Sequence, residues 1–343
     1  LAASDGALLG ATQSTFFRAT PDGQLMTFAR LGGYKQGRLP NLGLVRAADG
    51  NLYGTALAGG AFGYGTVFRF TPGGSLTAIY SAERLQAPAG LIAARDGGLI
   101  GVSDNGGRLG GGLIYRLSLS GEYREITWFD PEKYSWPNSV IEASDGALYG
   151  TTTFGGAYGR GVAFTVSPNG QLSMRHEFGA DGHGTARYGL VEGVDGHLYG
   201  TRHAVDGSNG GSIFRLTRTG QLTTIYVLQS EDGMMPGALT VGPDGNFYGT
   251  TSWGGGAAGG GTVFRVTPSG EFATLHVFQP GSRDGSGPRE HLTLGRDGNL
   301  YGLTANDGAG MQGTAFVSLP AANSPRSNRS SAIRTAERSR ATD

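Results

Sequence analysis

Residues 239–278 read LTVGPDGNFYGTTSWGGGAAGGGTVFRVTPSGEFATLHVF, four short runs able to form strands, separated by three turn signals. The first run, Leu239 to Gly242, stops at Asp244-Gly245, a dipeptide favoured in tight hairpins. The second, Phe247 to Thr251, ends in a glycine-rich loop. The third, Thr262 to Val266, meets Pro268-Ser269-Gly270, where proline presets φ and glycine tolerates positive φ. The fourth, Glu271 to Phe278, alternates and breaks at Pro280-Gly281. This pattern predicts a four-stranded antiparallel meander.

The meander recurs. Its Asp-Gly turn returns at Asp5, Asp49, Asp96, Asp145, Asp195, Asp244 and Asp297, at intervals of 44 to 53 residues. Periods in this range mark propellers and solenoids. Behind the turns stand Leu8-Leu9-Gly10, Leu52-Tyr53-Gly54, Leu99-Ile100-Gly101, Leu148-Tyr149-Gly150, Leu198-Tyr199-Gly200, Phe247-Tyr248-Gly249 and Leu300-Tyr301-Gly302. The third run reads TFFRA, TVFRF, LIYRL, VAFTV, SIFRL, TVFRV and TAFVS in turn. Seven such units predict an all-β, seven-bladed β-propeller of four-stranded antiparallel blades. The repeats fall at about 1–43, 44–90, 91–139, 140–189, 190–238, 239–291 and 292–320. Residues 321–343, rich in serine, arginine and alanine, read as a disordered tail. The last repeat lacks an outer strand, which is expected from residues preceding Leu1 or from Ser331 to Thr335.

Composition supports this architecture. The 64 glycines among 343 residues fall on turns at fixed offsets, so the bias is architectural. Zero formal net charge gives no global attraction to nucleic acid. No apolar run reaches the roughly 18 residues of a membrane span. Cysteine is absent, so no disulfide framework can be drawn. The chain starts at Leu1, and a removed leader or a trimmed start is expected.

Strand direction puts the Asp-Gly and Pro-x-Gly turns at one end of each unit and the glycine-rich loop and connector at the other. The second end is variable, and variable loops on a rigid repeat are where recognition sits. The repeat also tests each histidine. His176 and His276 occupy a column otherwise filled by Tyr80, Trp128 and Tyr226, and His197 replaces a turn asparagine, so all three read as structural. His183, His203 and His291 remain on the variable end. Around them stand Lys35, Arg38, Arg84, Lys133, Tyr134, Trp136, Arg187, Tyr188, Trp253 and Arg289. The fifth unit departs most, reading Arg202-His203 where others carry small residues. The connector before it bears His183, Arg187 and Tyr188, so one site built from both is expected.

Aromatic rings stack on sugars and arginines fork onto carboxylates, which points to an acidic polysaccharide as partner of a monomeric chain. The chemistry these residue types fit is β-elimination at a uronate. Arg202 or Arg187 would neutralise the carboxylate, and His203 and Tyr188 would act as the acid–base pair, with His183 as a further candidate. The expected substrate-binding set is Arg187, Trp253, Lys133, Tyr134, Trp136, His291, Arg289, Arg38 and Arg84. Hydrolysis needs two carboxylates at about 5 to 10 Å; Glu132, Asp181, Glu290 and Asp307 are the acids available. No cofactor is expected and no zinc spacing occurs, although Asp104-Asn105 and Asn306-Asp307 could offer oxygens to calcium. The alternative is a non-catalytic propeller that binds glycans or proteins at the cell surface.

The pattern carried by LYGTALAGGAFGYGTVFR from Leu52 and FYGTTSWGGGAAGGGTVFR from Phe247 resembles the GloVer-type (Gloeobacter/Verrucomicrobia) tandem repeat of bacterial exported proteins. The resemblance covers nearly all of residues 1–320. It implies a bacterial propeller with an extracellular or periplasmic location, and it supplies no catalytic residues. Several polysaccharide lyases share the seven-bladed fold, a likeness of architecture alone.

Overall fold

Strands and turns repeat because the same side chains solve the same local problems in each unit. The computed structural model describes residues 7–11, 15–20, 24–30, 37–72, 74–83, 88–204, 210–288, 291–308 and 313–318. Seven antiparallel sheets follow one another along the chain, and the fold is an all-β seven-bladed propeller with a single short 3-10 turn at Gly256–Ala258 among the described residues. Two compact units divide it. The first holds the three-stranded sheet of Leu8–Ala11, Thr15–Ala19 and Leu25–Arg30, apart from Ala19 and Leu25, and the four-stranded sheets that begin at Arg38, Pro88 and Tyr134. The second holds the sheets that begin at Val191, Met234 and Ser286. In the last two sheets the first strand is split: Met234–Pro236 and Thr240–Val241 both pair with Phe247–Trp253, and Ser286–Pro288 and Thr293–Leu294 both pair with Leu300–Asn306. Ala315–Ser318 is the last described strand. The segments expected to complete that blade, and the tail, lie outside the described residues.

The Asp-Gly-x-Leu-Tyr signature is a lock. The aspartate accepts a bond from the backbone N–H two residues on, and the tyrosine hydroxyl four residues on donates to its other oxygen. Tyr53 meets Asp49 at 2.7 Å, Tyr149 Asp145 at 2.9 Å, Tyr199 Asp195 at 2.7 Å, Tyr248 Asp244 at 2.8 Å and Tyr301 Asp297 at 2.7 Å. Where Ile100 replaces the tyrosine, Arg116 closes on Asp96 instead. The Pro-x-Gly turn at the same end is held by a Ser or Thr hydroxyl accepting the N–H four residues later, as in Thr267 and Glu271 at 3.0 Å.

The glycine behind the tyrosine has a steric cause. Gly249 pairs with Phe264, and a Cβ there would lie 2.5 Å from the Phe264 ring. Gly54 with Phe68, Gly150 with Phe164 and Gly200 with Phe214 repeat the arrangement. The bare glycine lets the aromatic ring cover its backbone across the strands. At the other end, the N–H of Gly261 (φ +90°) donates to Gly254, and a Cβ would fall 2.3 Å from the Thr251 carbonyl oxygen. Cores form between successive sheets within each unit, such as Ile100, Val102, Ile114, Phe129 and Phe164 in the first and Tyr199, Ile213, Phe247 and Phe264 in the second.

Candidate functional site

The fifth blade breaks the pattern at the end of its second strand, Leu198–Arg202. In the blades after it a threonine stands at the position of Arg202. Thr251 there accepts the Thr262 N–H at 3.0 Å and donates to the Trp253 carbonyl at 3.2 Å, stitching the glycine loop shut. A threonine hydroxyl stitches strand to loop; the Arg202 guanidinium instead reaches out to the connector. It is fully buried. Its Nη1 donates to both oxygens of Asp181, at 2.9 and 2.8 Å, Nη2 to Thr224 at 2.7 Å and Nε to Ser212 at 3.2 Å. The Phe214 ring lies beneath it at 5.7 Å. Burial works against the arginine's charge and lowers its pKa, and Asp181 offsets this only in part. Burial also works against the Asp181 carboxylate, but the Arg202 bonds and charge prevail and hold it below its ordinary value.

That pair fixes the connector from Asp181 to Leu190 against the strand. The His183 N–H donates to Asp181 at 3.2 Å, and Gly184 passes so close that a Cβ would lie 2.1 Å from the His203 carbonyl oxygen. The His203 N–H donates to the Thr185 carbonyl at 3.2 Å. The result sets Tyr188 beside His203, ring centroids 5.5 Å apart. His203 is half-buried. Burial, then the nearby Arg187 guanidinium, hold its pKa below the ordinary 6.5, while the Pro236 carbonyl favours the protonated ring. Its Nε2 is buried without a hydrogen-bond partner. Arg187 is exposed and has neither a hydrogen-bond nor an ion-pair partner among the described residues. A neutral imidazole with an uncommitted nitrogen beside an unpaired cation can take a proton and stabilise developing negative charge.

The structure therefore brings His203, Tyr188, Arg187, Arg202 and His183 together in the second unit. Arg202 sits beneath this group with every nitrogen engaged, so among the described residues of this group Arg187 is the cation without a partner. Trp253 lies in the same unit, 57% exposed, and His291 is exposed. Lys133, Tyr134 and Trp136 belong to the first unit. Lys133 Nζ lies 3.5 Å from Asp130, Tyr134 packs edge-on to Phe129, and Trp136 packs edge-on to Phe154 with ring centroids 5.3 Å apart. Lys35, Arg84, Arg289 and Glu290 lie outside the described residues, as does the Arg38 side chain. In the oxygen-rich loop, Asp104 Oδ1 and Asn105 Oδ1 are buried without donors, and burial raises the Asp104 carboxyl. Two contributors escaped the sequence reading, the Asp181 partner of Arg202 and the Pro236 carbonyl. The proline before the inner strand recurs at Pro40, Pro88, Pro137, Pro236 and Pro288, and that column was the available signal.

Repeat and locks define a tandem-repeat β-propeller. The sequence matches the Gloeobacter/Verrucomicrobia repeat over residues 1–202 and 136–328, and the chain belongs to that family. No curated protein matches the chain. Among solved structures it is similar to a streptogramin B lyase (18% identity, TM-score 0.65, 88% of each chain covered). It is also similar to a catalytically inactive His-to-Ala variant of virginiamycin B lyase from Staphylococcus aureus with quinupristin (17%, TM-score 0.60, 92% of this chain and 94% of that one). A third is a protein from Bacteroides fragilis assigned as a 6-phosphogluconolactonase (15%, TM-score 0.62, 98% and 95%). At these identities the likeness establishes the fold. These propellers are not polysaccharide lyases, which overturns the expected β-elimination on a uronate polymer. The geometry agrees with the correction, since Arg202 is buried on Asp181 and has no nitrogen left for a substrate carboxylate. Among the described residues no helix is long and apolar enough to cross a membrane.

Proposed function

We propose that the chain is an enzyme that opens a small cyclic ester, with His203 as general base. The observation that carries this reading is the buried, unpartnered Nε2 of a histidine held neutral next to the unpaired Arg187. An unsatisfied buried nitrogen costs roughly 1–3 kcal/mol, and such a defect is kept where chemistry needs it. In the proposed step water attacks the ester carbonyl while Nε2 takes its proton. The carbonyl oxygen becomes an oxyanion facing Arg187. The ring C–O bond then breaks, and the leaving oxygen receives the proton from His203, giving a hydroxy acid. A structural neighbour with a lactonase name supports a small cyclic ester as substrate, and a lyase among the neighbours is catalytically inactive when a single histidine becomes alanine.

The test follows acid release from γ-butyrolactone and glucono-δ-lactone. His203→Asn keeps a donor towards the Pro236 carbonyl and removes the base, so kcat is expected to fall about 10²- to 10⁴-fold. A wild-type protein that opens neither lactone above the buffer rate, or a variant with the full rate, overturns the assignment. Export to the periplasm or the cell exterior is proposed from the family resemblance alone, and cell fractionation would check it.

A further inference from the structure

The third blade departs from its copies at the end of the repeat that carries the Asp-Gly turn. Gly98 and Ile100 stand where, in the second blade, Asn51 and Tyr53 hold Asp49 at 2.7 Å each. Without that lock, Asp96 pairs with Arg116. A second change lies across the strands. Arg116, on Leu113–Leu117, is directly opposite Arg124, on Tyr123–Trp128. In four other blades the residue at the place of Arg124 is small and uncharged. Thr77 faces Arg69, Ser173 faces Thr165, Thr223 faces Arg215 and Ala273 faces Arg265. Two like charges in directly opposed positions repel each other. Asp96 answers Arg116. Arg124 is exposed, and among the described residues neither Glu122 nor any other group bonds to it.

The missing asparagine and tyrosine side chains also leave room. A cleft of about 480 Å³ lies there, lined among others by Asp96, Gly98, Arg116, Glu122, Tyr123 and Arg124. At Gly98 even a Cβ would stand 3.7 Å from Nη2 of Arg116. Tyr123 gives the cleft a fixed wall, because its ring stacks on Tyr80 with centroids 4.5 Å apart. In the regular blades the Nε atoms of Arg69, Arg215 and Arg265 are buried; Arg116 fronts the cleft instead.

We propose that this cleft binds a small oxyanion, a carboxylate or phosphate group held between Arg124 and the Arg116 nitrogens that Asp96 does not engage. The planar guanidinium fork matches two oxygens of either group, and such a ligand converts the opposed charges from a repulsion into a clamp. The site lies wholly within the first unit and is independent of the assignment of His203.

The experiment is calorimetric titration of the full chain, at constant ionic strength, with inorganic phosphate, succinate and the neutral succinamide. Phosphate or succinate is expected to bind and succinamide is not. Arg124→Thr, which installs the residue found opposite Arg69 and Arg215, should weaken anion binding about ten- to hundredfold. In buffer holding neither anion the same variant should melt above the wild type, because the repulsion is gone. Tighter binding of phosphate identifies a phosphorylated ligand, and the reverse order a carboxylate. Absence of binding by both anions overturns the site, as does a titration unchanged in Arg124→Thr. Binding abolished by Arg187→Ala and kept by Arg124→Thr would put the anion beside His203 and overturn the site equally. A variant that melts below the wild type removes the repulsion on which the inference rests.

Discussion

Arg202 carries a charge where no water reaches it, and Asp181, 41% exposed, supplies the opposite charge bonded to it. Removing one member of a buried pair leaves the other uncompensated, at about 3–5 kcal/mol when both are buried. Since Asp181 is partly in water, Asp181→Ala is expected to cost about 2–4 kcal/mol. The double variant Arg202→Met/Asp181→Ala should recover most of that loss, because an apolar chain of similar length needs no counter-charge. Urea unfolding of the four proteins decides it, and additive single effects would refute the coupling. His203 gives a pH prediction of defined sign. Its folded pKa lies below 6.5, so below that value the unfolded chain binds more protons than the folded one. Stability present above 6.5 is therefore lost as pH falls through the window beneath it, and His203→Asn should flatten that decline. For the same reason the acid limb of kcat/KM should titrate below 6.5. A limb at or above 6.5 would contradict a neutral, desolvated base.

Three glycines of the sixth blade rank the forces within one meander. Gly256 has positive φ and open space around its Cβ direction, so Gly256→Ala should cost about 1 kcal/mol. Gly249→Ala must displace the Phe264 ring, which can move at about 1–3 kcal/mol. Gly261→Ala meets the Thr251 carbonyl and the Pro288 ring at φ +90° and has no such freedom, so it should cost the most. Thermal melts of the three variants test the order, and Gly249→Ala as the most damaging would overturn it. These elements were readable in the sequence because each glycine answers a partner at fixed spacing. Tyr-Gly faces the Phe of the third run, and the final loop glycine precedes that run. The grouping of His203, Arg202, Arg187 and Tyr188 was readable for a related reason, since one unit departs from its copies and its connector adjoins it. What was not readable is depth. A loop arginine and a fully buried one look alike in sequence, so Arg202 read as a carboxylate binder when all three of its guanidinium nitrogens are engaged internally.

Repetition makes small local effects add. The carboxylates of Asp49, Asp195, Asp244 and Asp297 each meet the same balance. Desolvation would raise them, but the tyrosine hydroxyl and the backbone N–H two residues on outweigh it and hold each below the ordinary 3.8. The linked hydroxyls move the other way; burial and then the Asp49 contact push Tyr53 up to about 12. A carboxyl depressed on folding contributes stability that is present above 3.8 and is lost as pH falls through the folded value. Four copies in separate blades, with no shared partners, should contribute nearly independently. Acid unfolding is therefore expected to steepen below pH 3.8 in proportion to the number of intact locks. Replacing the four aspartates by asparagine one after another keeps an acceptor in each turn while removing the titrating group. Each step should lower stability at neutral pH and make its decline below 3.8 shallower by a similar increment, read from urea midpoints at several pH values. A slope that stays the same through all four replacements would show that the locks are shape alone and that the carboxylate charge contributes nothing to folding.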